Sequence, residues 1–140
     1  MRVVLDTSVM VAAFASATGA SRRLLLTALD GTYDLLLSTP LLVEYEAVLT
    51  RPTVLTMSAA TTDDVAAALD ELLAVCVPVT FDFSWRPQAH DPDDDLVLET
   101  AINGVADLVA SFNITHMRDR ARRFGIEVER PGAILRRLHR

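Results

Sequence analysis

The stretch of the sequence best suited to do chemistry is acidic. Four aspartates, Asp91, Asp93, Asp94 and Asp95, fall within five positions, and an apolar helical pattern follows them directly. A helix that begins near Asp93 turns by about 100° per residue, which places Asp94 near the middle of the apolar arc and Asp95 about a quarter-turn away. An ionised carboxylate that faces a core is costly unless something compensates its charge. Asp94 is therefore either part of a capped, acidic first helical turn or a metal ligand.

Other acids in the chain are candidates for the same site. Asp6 ends a short apolar run, where it could cap the next helix or act as a ligand at a strand end. Glu44 and Glu46 flank the apolar arc of a predicted helix at about the same angle on opposite sides, so periodicity leaves the choice between them open. Asp6, one of these glutamates and Asp94 would supply hard oxygen ligands, which suit Mg²⁺ or Mn²⁺ better than zinc. Carboxylate sites of this kind serve phosphodiester hydrolysis.

The elements that must position these acids alternate along the chain. Short apolar or extended runs predict strands at 1–6, 33–37, 77–81, 108–111 and 126–129. Helices are predicted at 9–15, 22–30 (capped by Ser21), 39–49, from the cap at 61–64 to 75, and at 93–103, 115–124 and 131–138, while residues 53–60 are ambiguous and could form a short helix. This alternation predicts an α/β fold, a three-layer α/β/α sandwich with a central, mainly parallel sheet, in one domain covering 1–140. Ligands of such sheets bind at the carboxyl ends of strands, where Asp6 and the turn at 111–113 both fall.

The composition excludes several classes of protein. With 51% hydrophobic and 23% charged residues, the 140-residue chain should fold around a real core. Its apolar runs are too short to span a membrane, and an acid at position 6 comes too early for a signal peptide, so we expect a cytoplasmic protein without a membrane partner. The single cysteine, Cys76, provides neither a disulfide framework nor a thiolate cluster for zinc. All 13 basic residues are arginines, and the absence of lysine excludes phosphatases of the haloacid-dehalogenase type and response-regulator receivers.

The charge is distributed unevenly along the chain. The net charge is -6, yet residues 1–115 carry 16 acids against 5 arginines, whereas residues 116–140 carry 3 acids against 8 arginines. One interpretation is an acidic body that holds metal and a basic C-terminal quarter that contacts nucleic acid. The other is an ordinary solvated helix face, and the clustering alone favours this simpler interpretation.

Short motifs in a fixed order give the sequence a resemblance to a known family. Residues 3–9, 42–49, 91–96, 104–109 and 124–128, and the closing helix after Pro131, resemble PIN domains of the kind found as toxins in bacterial toxin–antitoxin pairs. The resemblance covers nearly the whole chain and implies that the family's metal-binding acids correspond to Asp6, Glu44 and Asp94. It therefore selects Glu44 over Glu46. It also implies a metal-dependent endoribonuclease that cleaves single-stranded RNA, with a cognate antitoxin as partner and a homodimeric state.

The sequence departs from the family pattern at one position. PIN domains usually carry a fourth acid after the strand that corresponds to 108–111, but here Asn113 or His116 stands in its place. We expect both side chains to face the same pocket and to contact substrate phosphate, with one metal ion in the free protein. The family's hydroxyl residue after the first acid corresponds to Thr7 or Ser8, which could hydrogen-bond that carboxylate. The alternative function is a catalytically weakened PIN-like module that binds RNA or a protein.

Overall fold

The computed structural model describes residues 1–81 and 92–139, and within this part the side chains of residues 92–95 are not described. Five strands lie in it: β1 (Arg2–Leu5), β2 (Asp34–Ser38), β3 (Val77–Val79), β4 (Leu108–Ala110) and β5 (Glu127–Glu129). The helices of the same residues are α1 (Thr7–Ala15), α2 (Ala20–Leu29), α3 (Thr39–Leu49), α4 (Pro52–Ser58), α5 (Thr62–Val75), α6 (Pro92–Asn103), α7 (Ile114–Arg122) and α8 (Pro131–Leu138). Each predicted strand and helix is thus present, with boundaries that differ by a few residues.

The strands form one parallel sheet in the order β3-β2-β1-β4-β5. The central strand β1 pairs with β2 on one side and with β4 on the other, so that Val3 lies opposite both Leu35 and Leu108. Val3, Val4 and Leu5 are completely buried, which requires that both faces of the sheet are covered. Helices on the two faces complete the predicted three-layer α/β/α fold.

The strand order creates a topological switch point beside the centre of the sheet. The chain leaves β1 towards β2 and β3, then crosses back to β4 and β5 on the other side. The connections that follow β1 and β4 therefore run in opposite directions, and they leave a crevice between the carboxyl ends of these two strands. Asp6 follows β1 and Ser111 follows β4, so the two residues border this crevice.

Local sequence signals explain where several helices begin. The cap predicted at 61–64 is present at the start of α5 as a capping box of Thr61 and Asp64, in which each side chain accepts the other's backbone N–H. The predicted cap at Ser21 is wrong. Gly19 precedes α2, and Ser21 lies inside its first turn with its side chain buried. The ambiguous stretch at 53–60 is helical, and it ends at Ala59 in the left-handed conformation.

Helix α6 is buried on all sides over residues 97–101. Val97, Leu98, Glu99, Thr100 and Ala101 are each at most 1% exposed. The helix packs against β1, β2 and β4 as well as α3 and α7, which explains why consecutive residues lose contact with solvent. The single apolar arc predicted for this helix is therefore incomplete, since one arc of a helix covers only about half of five consecutive residues.

A chain of hydroxyl hydrogen bonds ties α6 to the start of α3. The Thr100 hydroxyl donates to the carbonyl oxygen of Leu96, so it can only accept in its 2.7 Å bond with the hydroxyl of Ser38. Ser38 in turn accepts the backbone N–H of Leu41 in the first turn of α3. These bonds fix the helix that carries Asp94 relative to the helix that carries Glu44.

No single helix among the described residues is long and apolar enough to cross a membrane. Helices α1 and α2 would pass on length and composition as a pair, but their axes are bent by 104° at the break between them.

Candidate metal centre

Asp6 is a buried carboxylate at the carboxyl end of the central strand. Its side chain is 1% exposed, and its Oδ2 accepts hydrogen bonds of 2.7 Å from both the Ser8 and the Ser111 hydroxyls. From the described residues its Oδ1 receives only a long contact of 3.4 Å, made by the hydroxyl of Thr7. Asp6 occupies the position before α1, but its side chain makes no capping hydrogen bond there. The carboxylate is therefore held by one oxygen, and the other oxygen keeps acceptor capacity.

The surroundings of Asp6 suit a divalent cation. Among the residues that the structure describes, no basic side chain forms an ion pair with this carboxylate. Two neutral hydroxyls stabilise a buried negative charge only in part, because isolated buried charges are costly. A cation bound at Oδ1 would supply the missing positive charge, and a hard oxygen ligand is the type that Mg²⁺ and Mn²⁺ prefer.

Tyr45 joins α3 to the same strand end. Its hydroxyl donates to the carbonyl oxygen of Leu5, directly before Asp6, and its side chain is completely buried. Burial raises the pKa of Tyr45 well above its usual range, and the negative charge of Asp6 raises it further. The phenol consequently stays neutral and keeps its proton for the bond to Leu5. Periodicity placed Tyr45 at the centre of an apolar arc and gave no indication of this bond.

The two glutamates that flank Tyr45 differ in exposure. Glu44 is half-buried, whereas Glu46 is exposed. Glu44 is the residue that the family resemblance selects, and it is adjacent to the tyrosine that contacts the end of β1. The burial of the two side chains thus points in the same direction as the resemblance.

The third predicted ligand falls outside the described side chains. Asp94 and its neighbour Asp95 lie in the first turn of α6, where only the helical backbone is described. Within the described residues, no group of three or more His, Cys, Asp and Glu side chains could hold a metal ion. The side chain of Asp94 is not among those described, so the metal site formed by Asp6, Glu44 and Asp94 stays a prediction.

The predicted substrate-contacting residues occupy different positions. Ser8 donates the shorter of the two predicted hydrogen bonds to Asp6, and Thr7 makes the longer one. Asn113 and His116 are exposed at the start of α7, and neither is among the hydrogen-bond donors to Asp6. The backbone N–H of Asn113 donates to the hydroxyl of Ser111.

The functional residue that the sequence reasoning missed is Ser111. Its side chain is completely buried and donates to Asp6 from 105 positions away. The sequence placed it at a strand end of the right kind, but a contact with Asp6 depends on β4 lying beside β1. A second polar residue without a sequence signal is Glu99, which is 1% exposed in α6.

The fold and site together define an α/β domain with a buried carboxylate at the switch point of a parallel sheet. Residues 2–115 match the family model of the PIN domain, and the chain belongs to this family. PIN domains are generally nucleases and typically depend on divalent metal ions. No match to the chain was found among curated proteins or among solved structures.

Proposed function

We propose that this protein is a metal-dependent endoribonuclease that cleaves single-stranded RNA, with Mg²⁺ or Mn²⁺ held by Asp6, Glu44 and Asp94. The observation that carries the proposal is the environment of Asp6, a buried carboxylate at the switch point whose Oδ1 remains available. Membership of the PIN domain family supports the nuclease activity, since this family is generally composed of nucleases.

Each protein group has a defined part in this proposal. Ser8 and Ser111 fix the orientation of the Asp6 carboxylate, as hydrogen-bond partners of metal ligands commonly do. Tyr45 holds α3 against the end of β1 and so sets the distance between Glu44 and Asp6. A divalent ion bound to these acids supplies the activation of water and the neutralisation of phosphate charge that phosphodiester hydrolysis needs.

The segment after β4 supports a single ion in the free protein. It carries Asn113 or His116 where a fourth acid would be expected, and the hydroxyl of the preceding Ser111 donates to Asp6. Three carboxylates give a site charge of about -3, which holds one divalent ion well and two poorly without substrate. In this proposal, the amide of Asn113 and the imidazole of His116 contact phosphate when RNA binds.

The same segment favours a second candidate function, a PIN-like module with weakened catalysis that binds RNA or a protein. Cleavage of a fluorescent single-stranded oligoribonucleotide by purified protein separates the two functions. The nuclease proposal predicts cleavage that requires Mn²⁺ or Mg²⁺, stops with a chelator, is lost in Asp6→Asn and is much weaker on a duplex of the same sequence. Binding of the oligonucleotide without cleavage at any metal concentration would favour the second candidate.

We further propose that the protein is the toxin of a toxin–antitoxin pair and acts as a homodimer bound to its antitoxin. The resemblance described above supports this role, as do large apolar side chains on the surface, among them Val43 with 62% and Leu26 with 53% of the side chain exposed. Light scattering at tens of micromolar tests the dimer, and a monomer there would contradict it. Co-purification with the product of a small adjacent gene tests the antitoxin, and its failure would count against that partner.

A further inference from the structure

A surface groove runs along β5 between α7 and α8. It consists of two adjoining cavities of about 400 and 730 Å³, which share Arg118, Val128 and Glu129 in their walls. The smaller cavity extends towards Arg122 at the end of α7, and the larger one extends towards Phe112 at the end of β4. Because β5 is the last strand of the sheet, the groove follows an open edge.

The groove is basic although the chain as a whole carries a net charge of -6. Arg118 and Arg122 lie four residues apart on α7, which puts them on the same side of that helix. Arg130 and Arg136 line the larger cavity beside Arg118. In the described part of the chain, none of these four exposed arginines forms an ion pair with an acid. Their charges are therefore available to a ligand.

The two acids in the groove share one other arginine, which offsets one of their two negative charges. The Nη1 atom of Arg137 lies 2.9 Å from Glu127 Oε2 and 3.2 Å from Glu129 Oε2. The second contact is an ion pair without good hydrogen-bond geometry, since Glu129 Oε2 has no hydrogen-bond partner. The four other arginines outnumber the one negative charge that remains, so the local potential of the groove is positive.

One residue in the wall of the groove is linked through its backbone to the candidate metal centre. Phe112 lines the larger cavity with 44% of its side chain exposed. Its backbone N–H donates to the Ser8 hydroxyl at 3.3 Å, and that hydroxyl donates to Asp6 at 2.7 Å. The backbone of Phe112 is therefore joined to the buried carboxylate by two successive hydrogen bonds through Ser8.

We propose that this groove binds the backbone of the single-stranded RNA substrate, with Phe112 stacking on a base next to the cleaved bond. Proteins that bind single strands combine a basic groove for the phosphates with aromatic side chains for the bases, which is the combination found here. An acidic protein segment would also be attracted by the arginines, but it would not account for the exposed aromatic side chain of Phe112 in the wall of the groove. The inference rests on the proposed nuclease function.

The test measures binding apart from catalysis. A short, fluorescent, single-stranded oligoribonucleotide is titrated with protein in the presence of a chelator, and the affinity is measured over a range of salt concentrations. Arg118→Gln and Arg136→Gln should each weaken binding and reduce the slope of log K against log[salt] by about 0.7, and the double variant by about 1.4. Phe112→Ala should weaken binding by about fivefold to tenfold and leave the slope unchanged.

Arg51→Gln is the matched control, because Arg51 is exposed between α3 and α4 and lies outside the groove. It should leave both the affinity and the slope unchanged. The inference would be overturned if the groove variants bound RNA with the same affinity and salt slope as Arg51→Gln. It would also be overturned if they lost binding of a polyglutamate peptide but retained binding of RNA. If the wild-type protein cleaves RNA and the groove substitutions change neither the RNA affinity nor the salt slope, the inference fails and the nuclease proposal stands. If binding depends on the groove but no metal ion supports cleavage, the nuclease proposal fails and the binding site stands.

Discussion

The hydroxyl of Ser111 donates a 2.7 Å hydrogen bond to Oδ2 of Asp6, although 105 positions separate the two residues in the chain. The contact exists because β4 pairs in parallel with β1, which brings the residues after both strands to the same edge. Since Ser8 bonds to the same oxygen, both hydroxyls orient the carboxylate so that Oδ1 is left for a ligand. This relationship gives the most direct test of the metal centre.

Replacing Ser111 with alanine should weaken metal binding more than it weakens the fold. Loss of a hydrogen-bond partner of a metal ligand typically lowers metal affinity by about 10-fold to 100-fold, and we expect a change of that size for Mn²⁺ in a calorimetric titration. Ser58→Ala is the control, because the Ser58 hydroxyl donates to the Val54 carbonyl in α4, outside the Asp6 contacts. Equal Mn²⁺ affinity in the two variants would mean that the Ser111 hydroxyl only stabilises the strand end.

A pair of tyrosines separates stability from positioning. Tyr45 and Tyr33 are both buried and both donate to a backbone carbonyl, of Leu5 and Leu24 respectively. Replacing either with phenylalanine leaves a buried carbonyl without this donor, and each change should lower the free energy of unfolding by about 1–3 kcal/mol. Of the two variants, only Tyr45→Phe should also reduce nuclease activity, by about tenfold or more. The reason is that the Tyr45 bond joins α3 to the end of β1, whereas the Tyr33 bond reaches α2.

Thermal unfolding and initial cleavage rates, measured on the same preparations, check the tyrosine prediction. Parallel losses of activity in Tyr45→Phe and Tyr33→Phe would show that activity follows stability alone.

We predict that the third metal ligand is Asp94 and not its neighbour Asp95. Asp94→Asn should abolish Mn²⁺ binding and cleavage, because it removes a charge from the proposed set of three. Asp95→Asn should retain most of both. The burial of α6 on all sides over residues 97–101 makes this comparison more informative, since helical phase does not by itself select one aspartate. Equal losses in both variants would require a different set of ligands.

Asn113→Asp tests the missing fourth acid. If Asn113 faces the metal centre, the new carboxylate should tighten Mn²⁺ binding and raise cleavage at low Mn²⁺. Asn113 immediately precedes α7 and its side chain makes no capping hydrogen bond. The competing effect is therefore a better helix start, worth up to about 1 kcal/mol of stability without a change in metal affinity. Calorimetric titration and thermal unfolding of both proteins distinguish the two results.

The alternation of strands and helices was enough to predict the architecture. The uninterrupted apolar run at the start of the sequence predicted a buried parallel strand, and Val3, Val4 and Leu5 of β1 are completely buried at the centre of the sheet. Capping chemistry predicted the start of α5 at Thr61, where the capping box is present. These signals are local, so they can be interpreted without knowing which strands are neighbours in the sheet.

The contacts that depend on strand order could not be predicted in the same way. Periodicity assumes that a helix has one buried face, and it fails for α6 because strands and helices cover this helix on several sides. The same limit explains Ser111, whose partner is decided by which strand β4 joins. Ser21 is a good capping residue but does not cap α2. The helix begins at Ala20, two positions before its predicted start, and the serine is buried in the first turn.

The position of β1 has a consequence for the order in which the site is assembled during synthesis. Among the five described strands the first in chain order is the central one, and one of its two neighbours, β4, is not complete until Ala110 has been added. The hydrogen bond between Asp6 and the hydroxyl of Ser111 can form only after the 105 positions that separate them have been synthesised. The sheet must therefore close by pairing strands that are far apart in the sequence, which is slow. Under the proposed nuclease function, a chain that stops before Ser111 lacks the hydroxyl that orients Asp6, and we expect it to leave RNA uncleaved.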